Sequence, residues 1–396
     1  MIFRPWLRVS LALFAVGWGA NQFASMLLAY RDELGMDAQT RALLFALYAV
    51  GLIPALLVGG SASDRWGRRA VVVPFVALSP LATVLLIVWS DWAPGLGAAR
   101  LLAGLSSGVV FGAATAWLSD LSAGDPPGAG ARRAALSLSA GFAIGPLAAG
   151  LVAEFSTHPL TVPYLPHLVL GLVALLVLLP VAGPRPDATP SQPLVSLPAV
   201  TLRRRFVLTV APTAPWVFAS ATISFAYLPS VIDAPSEGAL AFAAVLTFVT
   251  LGTGVAIQPL ARRLDDRLPL LAGRVAMLCT MAALGLGLLA VGSDTRWVLL
   301  VAAPLFGAGY GFGLVSGLRE VDRLAPPAER GAVVGVFYGL AYLGMFAPYL
   351  LGAVAGLGLG SRGALLVAVA AAATALAVVT IAARDQRHRH QLPQRG

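Results

Sequence analysis

Gly60-Ser61-Ala62-Ser63-Asp64-Arg65-Trp66-Gly67-Arg68-Arg69 stands between two long apolar runs. A turn between antiparallel helices needs the backbone freedom of Gly67. Gly60, near the end of the preceding run, permits close approach of a neighbouring helix. Asp64 is the unusual residue, because a carboxylate adds nothing to a basic cluster. It pairs with arginine and also suits the positive N-terminal end of another helix. The string G-x-x-x-D-R-x-G-R-R is more specific at such a turn than any one of its residues.

What surrounds the turn is suited to lipid. Of 396 residues, 58% are hydrophobic and 11% charged, where soluble domains carry roughly 25% charged residues. Spanning a bilayer takes about 20 mostly apolar residues. Runs of that kind fall near 8–30, 41–62, 70–90, 95–119, 133–155 and 164–182. Six more follow near 206–230, 238–261, 270–291, 297–318, 331–354 and 362–383. The first is read as an uncleaved helix, since Asn21 and Gln22 interrupt it and no small-residue cleavage site closes it. Residues 183–204 hold five prolines with Asp187, Ser191 and Gln192, which reads as a linker. The expected organisation is a six-helix bundle over 1–182, a cytoplasmic linker 183–204, a second bundle over 205–383 and a cytoplasmic tail 384–396.

Arginine sets the orientation. All 27 basic residues are arginine, giving a net charge of +9. With the N-terminus in the cytoplasm, 21 of them fall inside and four outside (Arg31, Arg41, Arg296, Arg362), while Arg100 and Arg274 lie within spans. The positive-inside rule selects that orientation. Short clusters between apolar runs fit topology and anionic lipid contact, not nucleic acid. Cys279 is the single cysteine, which excludes disulfides, zinc sites and iron–sulfur clusters.

The quoted string resembles the signature loop of the major facilitator superfamily, between that family's second and third helices. It departs where the family usually has leucine and alanine, here Ala62 and Ser63. The resemblance implies that Gly60, Asp64, Arg65, Gly67 and Arg68 form a latch between the two halves. In span four, Leu96, Arg100, Gly104, Gly108 and Gly112 recur every four residues, and Asp120 closes the run. That spacing keeps them on one slowly drifting face, where small residues let helices pack closely. The pattern is similar to the family's fourth-helix motif, which implies a link between Arg100 and proton transfer and a place for Asp120 beside Asp64 and Arg65 in a cytoplasmic charge network. Span five holds Gly141, Gly145, Pro146 and Gly150, similar to the family's antiporter motif with Ala149 at its penultimate position. That motif implies export. The second half echoes the first faintly, with a loop at 259–267, Gly307 and Gly311, and Glu320 or Asp322 opposite Asp120. No arginine answers Arg100.

Substrate is expected near the midplane between the halves. Trp18, Gln22, Ser25 and Met26 share a face of span one, with Asn21 beside it. Trp216, Ser220, Ser224 and Tyr227 share one in span seven, and Tyr338, Tyr342, Met345, Phe346 and Tyr349 one in span eleven. Such stripes pair aromatic surface with a few polar groups, as a small-molecule pocket needs. None of the 18 carboxylates falls in the middle of a span, which points to neutral, zwitterionic or weakly amphipathic substrates. Arg100 lies about 7–8 Å inside the outer end and is expected to snorkel toward Asp32. Asp32 is therefore preferred over Glu154, at the outer end of span five, as the proton carrier.

The fold class expected is an all-α membrane protein of twelve transmembrane helices in two pseudo-symmetric six-helix bundles, in the inner membrane with both termini cytoplasmic. The expected function is proton-coupled efflux of small hydrophobic or amphipathic molecules by a functional monomer in contact with lipid. A pH unit is worth about 1.4 kcal/mol and a charge crossing 100 mV about 2.3 kcal/mol. No cofactor, metal or nucleic acid is called for, and there is no Walker phosphate loop. An uptake symporter on the same fold is the alternative, and a membrane sensor or enzyme a more remote one. The orientation predicts that Ser191→Cys is labelled by a membrane-impermeant thiol reagent only from inside and Thr295→Cys only from outside. The reverse pattern contradicts it.

Overall fold

A computed structural model describes residues 4–126, 128–184, 197–232, 237–326 and 329–391. Every regular element among them is helical. In lipid a segment must satisfy its own backbone bonds, which helices do without help. In order these are α1 (Pro5–Leu34), α2 (Ala38–Trp66), α3 (Arg68–Val88), α4 (Ala93–Asp120), α5 (Ala129–Phe155), α6 (Leu165–Leu178), α7 (Arg204–Thr209) and α8 (Ala214–Thr222). They continue with α9 (Leu228–Val231), α10 (Ala239–Ala256), α11 (Gln258–Arg267), α12 (Leu271–Ser293), α13 (Val298–Leu324), α14 (Arg330–Tyr342), α15 (Ala347–Val354) and α16 (Gly360–Gln391).

Among the described residues, ten stretches are long and apolar enough to cross a membrane, and Val162–Leu178 is a shorter apolar helix. The seventh run is a composite, Arg204–Val231, whose α8 and α9 are joined by a π-helical turn at Ile223–Tyr227. The last stretch, Arg330–Arg384, is 55 residues long. Of the expected linker, 185–196 lie outside the described residues.

Two readings change. The segment 259–267, expected as a loop, is helix α11: Pro259 stands in the first turn, where its missing N–H costs nothing. Asp64, Arg65 and Trp66 are likewise the last turn of α2, and only Gly67, at φ 92°, leaves the helix. At the other end of α2, Asp37 accepts from the N–H groups of Gln39 and Thr40 and from the Thr40 hydroxyl. Those bonds hold its carboxyl below the usual range, the Thr40 hydroxyl foremost.

The chain forms two compact units. One contains α1–α6 and residues 237–248, hence the first half of α10; the other contains α7–α9, the rest of α10 and α11–α16. In the first, α2 crosses α4 at glycines. A Cβ on Gly104 would collide with the Tyr48 carbonyl, and one on Gly108 would lie 2.7 Å from Ala55 Cβ. On the opposite helix the crossing requires Gly59, whose Cβ would fall 2.8 Å from Val109 Cα, while one on Gly60 meets nothing within 4 Å. The expectation for Gly60 was thus displaced by one residue. In the second unit α10 crosses α13 in the same way, with Gly307 against the Thr250 carbonyl and Gly311 against that of Gly254. The four-residue glycine spacing therefore has one cause in both.

Gly104→Ala is expected to lower stability in micelles by about 1–3 kcal/mol through overpacking. Gly60→Ala should change it by less than about 1 kcal/mol, since only helix propensity is at stake. Denaturant unfolding of the two variants compares them directly.

Candidate functional site

The charged turn is held by Arg68. Its guanidinium pairs with Asp64 one turn back, bonds Asp120 Oδ2 at 3.0 Å and donates to Ser63 Oγ at 2.7 Å. Ser63 in turn donates to the Gly60 carbonyl at 2.8 Å. Ser63 thus joins the network as a partner that sequence reasoning noted only as a departure. Arg65 is exposed and has no polar partner among the described residues. In the other unit Glu320, fully buried, accepts from Arg205 Nε at 2.8 Å and lies 3.5 Å from Arg323. Arg323 also lies 3.6 Å from Asp265. Asp322 pairs separately with Arg330 at 3.4 Å.

Arg100 turns inward. It is fully buried, its guanidinium 4.6 Å from the Phe23 ring and 4.7 Å from that of Tyr48. Its three nitrogens each donate at 3.4 Å, to the carbonyls of Leu44, Ala20 and Phe45. Aromatic faces and spare carbonyl lone pairs replace the carboxylate that a cation in lipid otherwise seeks. The expected snorkel toward Asp32 is not made: Asp32 pairs with Arg31 at 2.7 Å on the surface.

The antiporter-like glycines admit α1. A Cβ on Gly141 would come 2.8 Å from Trp18 N, and one on Gly145 2.7 Å from the Trp18 carbonyl. Pro146 follows Gly145 directly, in an α5 that is continuous to Phe155. One turn further, a Cβ on Gly150 would meet Ala244 Cβ at 2.5 Å and Ser25 Cβ at 3.1 Å. Four residues on, Glu154 caps the start of α10. Its carboxylate accepts from Gly238 N at 2.9 Å, Leu240 N at 3.0 Å and Ala241 N at 3.1 Å. A helix start leaves such N–H groups unpaired and carries positive partial charge, so a carboxylate from another helix suits it.

The face of α1 predicted for substrate carries three unpartnered polar atoms. Trp18 Nε1, Gln22 Oε1 and Ser25 Oγ are buried and have no hydrogen-bond partner among the described residues. Met26 is fully buried beside them and Asn21 is half-buried. Gln22 Nε2 donates to Thr83 of α3 at 3.2 Å, and Thr83 Oγ1 is 2.7 Å from His167 Nδ1 on α6. Sequence reasoning missed His167 and Thr83. An ionisable residue inside an apolar run was the available signal.

In the other unit Ser220 donates to the Phe306 carbonyl at 2.8 Å and accepts from Thr280 at 3.1 Å, so both its roles are filled within the bundle. Trp216 packs on the Ala272–Met277–Phe312 core, and Tyr227 is buried in the π-helical turn. Tyr342 stacks on Phe218 at 4.2 Å, with Tyr310 5.7 Å from Phe218 and Tyr338 6.4 Å from Tyr342. Phe346 is half-buried in the 3₁₀ turn after α14. The stripe containing Tyr338 and Tyr342 therefore belongs to a wider aromatic group completed by Phe218 and Tyr310. Among the described residues no group of three His, Cys, Asp or Glu is arranged to hold a metal.

Comparison with known proteins follows the same lines. The sequence model of the Major Facilitator Superfamily matches residues 9–347. The quinolone resistance protein NorA of Staphylococcus aureus is 22% identical over 144 residues, 36% of this chain and 37% of NorA. The 3-(3-hydroxy-phenyl)propionate transporter of Escherichia coli (strain K12) is 32% identical over 77 residues, 19% of each chain. The matches thus span only 37% and 19% of these curated relatives' length. The solved structure of the nucleoside transporter NupG superposes with a TM-score of 0.77 at 13% identity, covering 96% of this chain and 99% of that one.

The Glu154 cap yields a prediction of its own. Glu154→Ala should destabilise the start of α10 by about 1–2 kcal/mol. Amide hydrogen exchange at Leu240 and Ala241 should then accelerate by about tenfold, with α12 unaffected.

Proposed function

This chain belongs to the Major Facilitator Superfamily, a multi-pass membrane transporter and not an enzyme, and we propose that it exports small hydrophobic or amphipathic molecules in exchange for protons. The observation that carries the reading is the row Trp18 Nε1, Gln22 Oε1 and Ser25 Oγ, buried without partners on one face of α1. An unpaired buried polar atom costs about 1–3 kcal/mol, and such a row on a mostly apolar face suits an amphipathic ligand with few polar groups. Direction is supported by the glycine motif of α5 and by NorA, whose name records quinolone resistance.

The proposed architecture has twelve spans. Val162–Leu178 counts as one, and the 55-residue Arg330–Arg384 as two. A straight helix of that length would run about 80 Å, more than two bilayer cores of about 30 Å. It breaks at Gly358 and Gly360, with φ of 94° and 62°. Both termini and the 183–204 linker are proposed to be cytoplasmic, in the inner membrane, with the bundles at 1–182 and 205–383.

For the coupling proton, Glu154 is the better placed of the two carboxylates, because its charge holds three N–H groups and Asp32 holds only its neighbour. Protonation removes an acceptor charge from the α10 start and loosens the cap. Inverted vesicles should accumulate a fluorescent quinolone when their lumen is acidified, and lose it on adding an uncoupler. Efflux of preloaded dye under the same gradient favours a symporter. Glu154→Gln should abolish uphill accumulation yet keep downhill exchange, with Asp32→Asn close to wild type. Asp64→Asn should slow transport several-fold to a hundredfold, the span of a 1–3 kcal/mol coupling, with normal insertion. Wild-type rates in both Asp64→Asn and Asp120→Asn remove the gating role of the turn.

A further inference from the structure

The ring of His167 lies in the middle of the first unit with both nitrogens engaged. It is fully buried, on α6, between α1 and α3. Nε2 is 3.1 Å from the carbonyl of Ala15, which can only accept, so that nitrogen carries the hydrogen. Ser79 Oγ stands 3.4 Å from the same nitrogen. Nδ1 must then accept from the Thr83 hydroxyl at 2.7 Å, and Thr83 must accept from Gln22 Nε2 at 3.2 Å. The chain runs one way: Gln22 amide to Thr83 hydroxyl to a neutral ring. At its far end Gln22 Oε1 is left on the α1 face without a partner among the described residues.

Gly19 exists for this ring. A Cβ there would lie 2.5 Å from His167 Nε2 and 3.1 Å from Ser79 Oγ. The titratable groups on the surrounding elements are turned elsewhere. Tyr30 of α1 and Tyr164 bond each other at 2.9 Å, and Arg100 of α4 lies on Phe23 and Tyr48. Helix α3 offers the ring only Ser79 and Thr83. No carboxylate pairs with the ring among the described residues.

We propose that His167 is a protonation-controlled positioning residue that sets, through Thr83, whether Gln22 presents an acceptor or a donor to the substrate. A proton taken from water at Nδ1 turns that nitrogen into a donor, and no other covalent bond changes. Thr83 Oγ then receives from the ring, and its own hydrogen is released toward Gln22. Gln22 can accept it only by turning its amide, which brings Oε1 to Thr83 and Nε2 to where Oε1 had been. With the ring neutral, the α1 face offers an acceptor at Gln22 beside a donor at Trp18 Nε1 and a hydroxyl at Ser25. This suits a ligand with an amine or other N–H donor and a nearby carbonyl or carboxylate. With the ring charged, Gln22 shows N–H groups and a positive charge stands behind it. Proton and ligand then exclude each other, as exchange requires. The inference rests on the exporter reading and adds the substrate chemistry and a second protonation site.

Binding of a fluorescent quinolone to the full-length protein in micelles, at pH 8 and pH 5.5, tests it. Wild type should bind roughly tenfold more weakly at the lower pH, within the 5–150-fold span of site-to-site coupling. In His167→Gln, whose amide can replace both ring bonds without titrating, the ratio between the two pH values should fall to about one. Thr83→Val, which cuts the relay and leaves the ring, should flatten it as well. The ¹⁵N signals of the histidine rings, with His167 assigned by difference from His167→Gln, should report an Nε2–H ring at pH 8 that quinolone protects from protonation. An unchanged ratio in His167→Gln, or an Nδ1–H ring, overturns the inference while pH-driven accumulation by wild-type vesicles keeps the exporter reading. If the wild type neither binds nor accumulates quinolone, the exporter reading fails for this substrate class and the inference fails with it.

Discussion

Lipid offers no hydrogen bonds, and nearly every polar group within the spans has to find its partner inside the protein. Arg100 shows how far that demand reaches. A guanidinium in hydrocarbon normally seeks an acid, and here three backbone carbonyls and two aromatic faces serve instead. The Leu44 and Phe45 carbonyls come within reach because α2 and α4 touch backbone to backbone at Gly104 and Gly108, while the Ala20 carbonyl comes from α1. Close crossing and polar satisfaction are therefore one arrangement. Trp18, Gln22 and Ser25 depart from it together on one face of α1, and the proposed function gives that face a ligand.

Much of this was legible in the residues. Apolar length marked the helices, and the four-residue glycine period marked their crossings in both units. The string from Gly60 to Arg69 marked the turn, but Asp120 meets Arg68 there and not Arg65. These features are local or periodic, so one chain carries their full signal. The partners of Arg100 were not legible, because backbone carbonyls leave no trace in residue type. The expected contact from Arg100 to Asp32 failed for that reason: an acid was sought where the protein used main chain. His167 was overlooked since its meaning depends on α1 and α3 arriving on either side. Gly59 and Gly60 differ by 100° of helix rotation, which sequence spacing alone cannot resolve to one residue.

The charged groups and the glycine crossings play complementary parts. Glycine contacts are flat and apolar, so they hold helices close without fixing a single register. The clusters around Arg68, Glu320 and Glu154 fix positions through charge, and each can be weakened by moving one proton or one partner. A transporter must hold more than one arrangement with similar free energy, and a small differential interaction then decides between them. In the first unit the Glu154 cap is carried by α5 and the His167 relay by α6. Under the proposed exchange, protonation at the two places changes what α1 and the start of α10 are bonded to.

Under the proposed exchange, proton and substrate compete for the same protein, and the protons released or taken up as substrate binds to the wild-type chain report that competition. Calorimetric titration of purified protein with a fluorescent quinolone, in two buffers of different ionisation enthalpy, gives that count. Linkage between exclusive ligands predicts release of about one proton per molecule bound at a pH where the site is protonated. Binding with no proton released, or with a proton taken up, means that proton and substrate do not exclude each other.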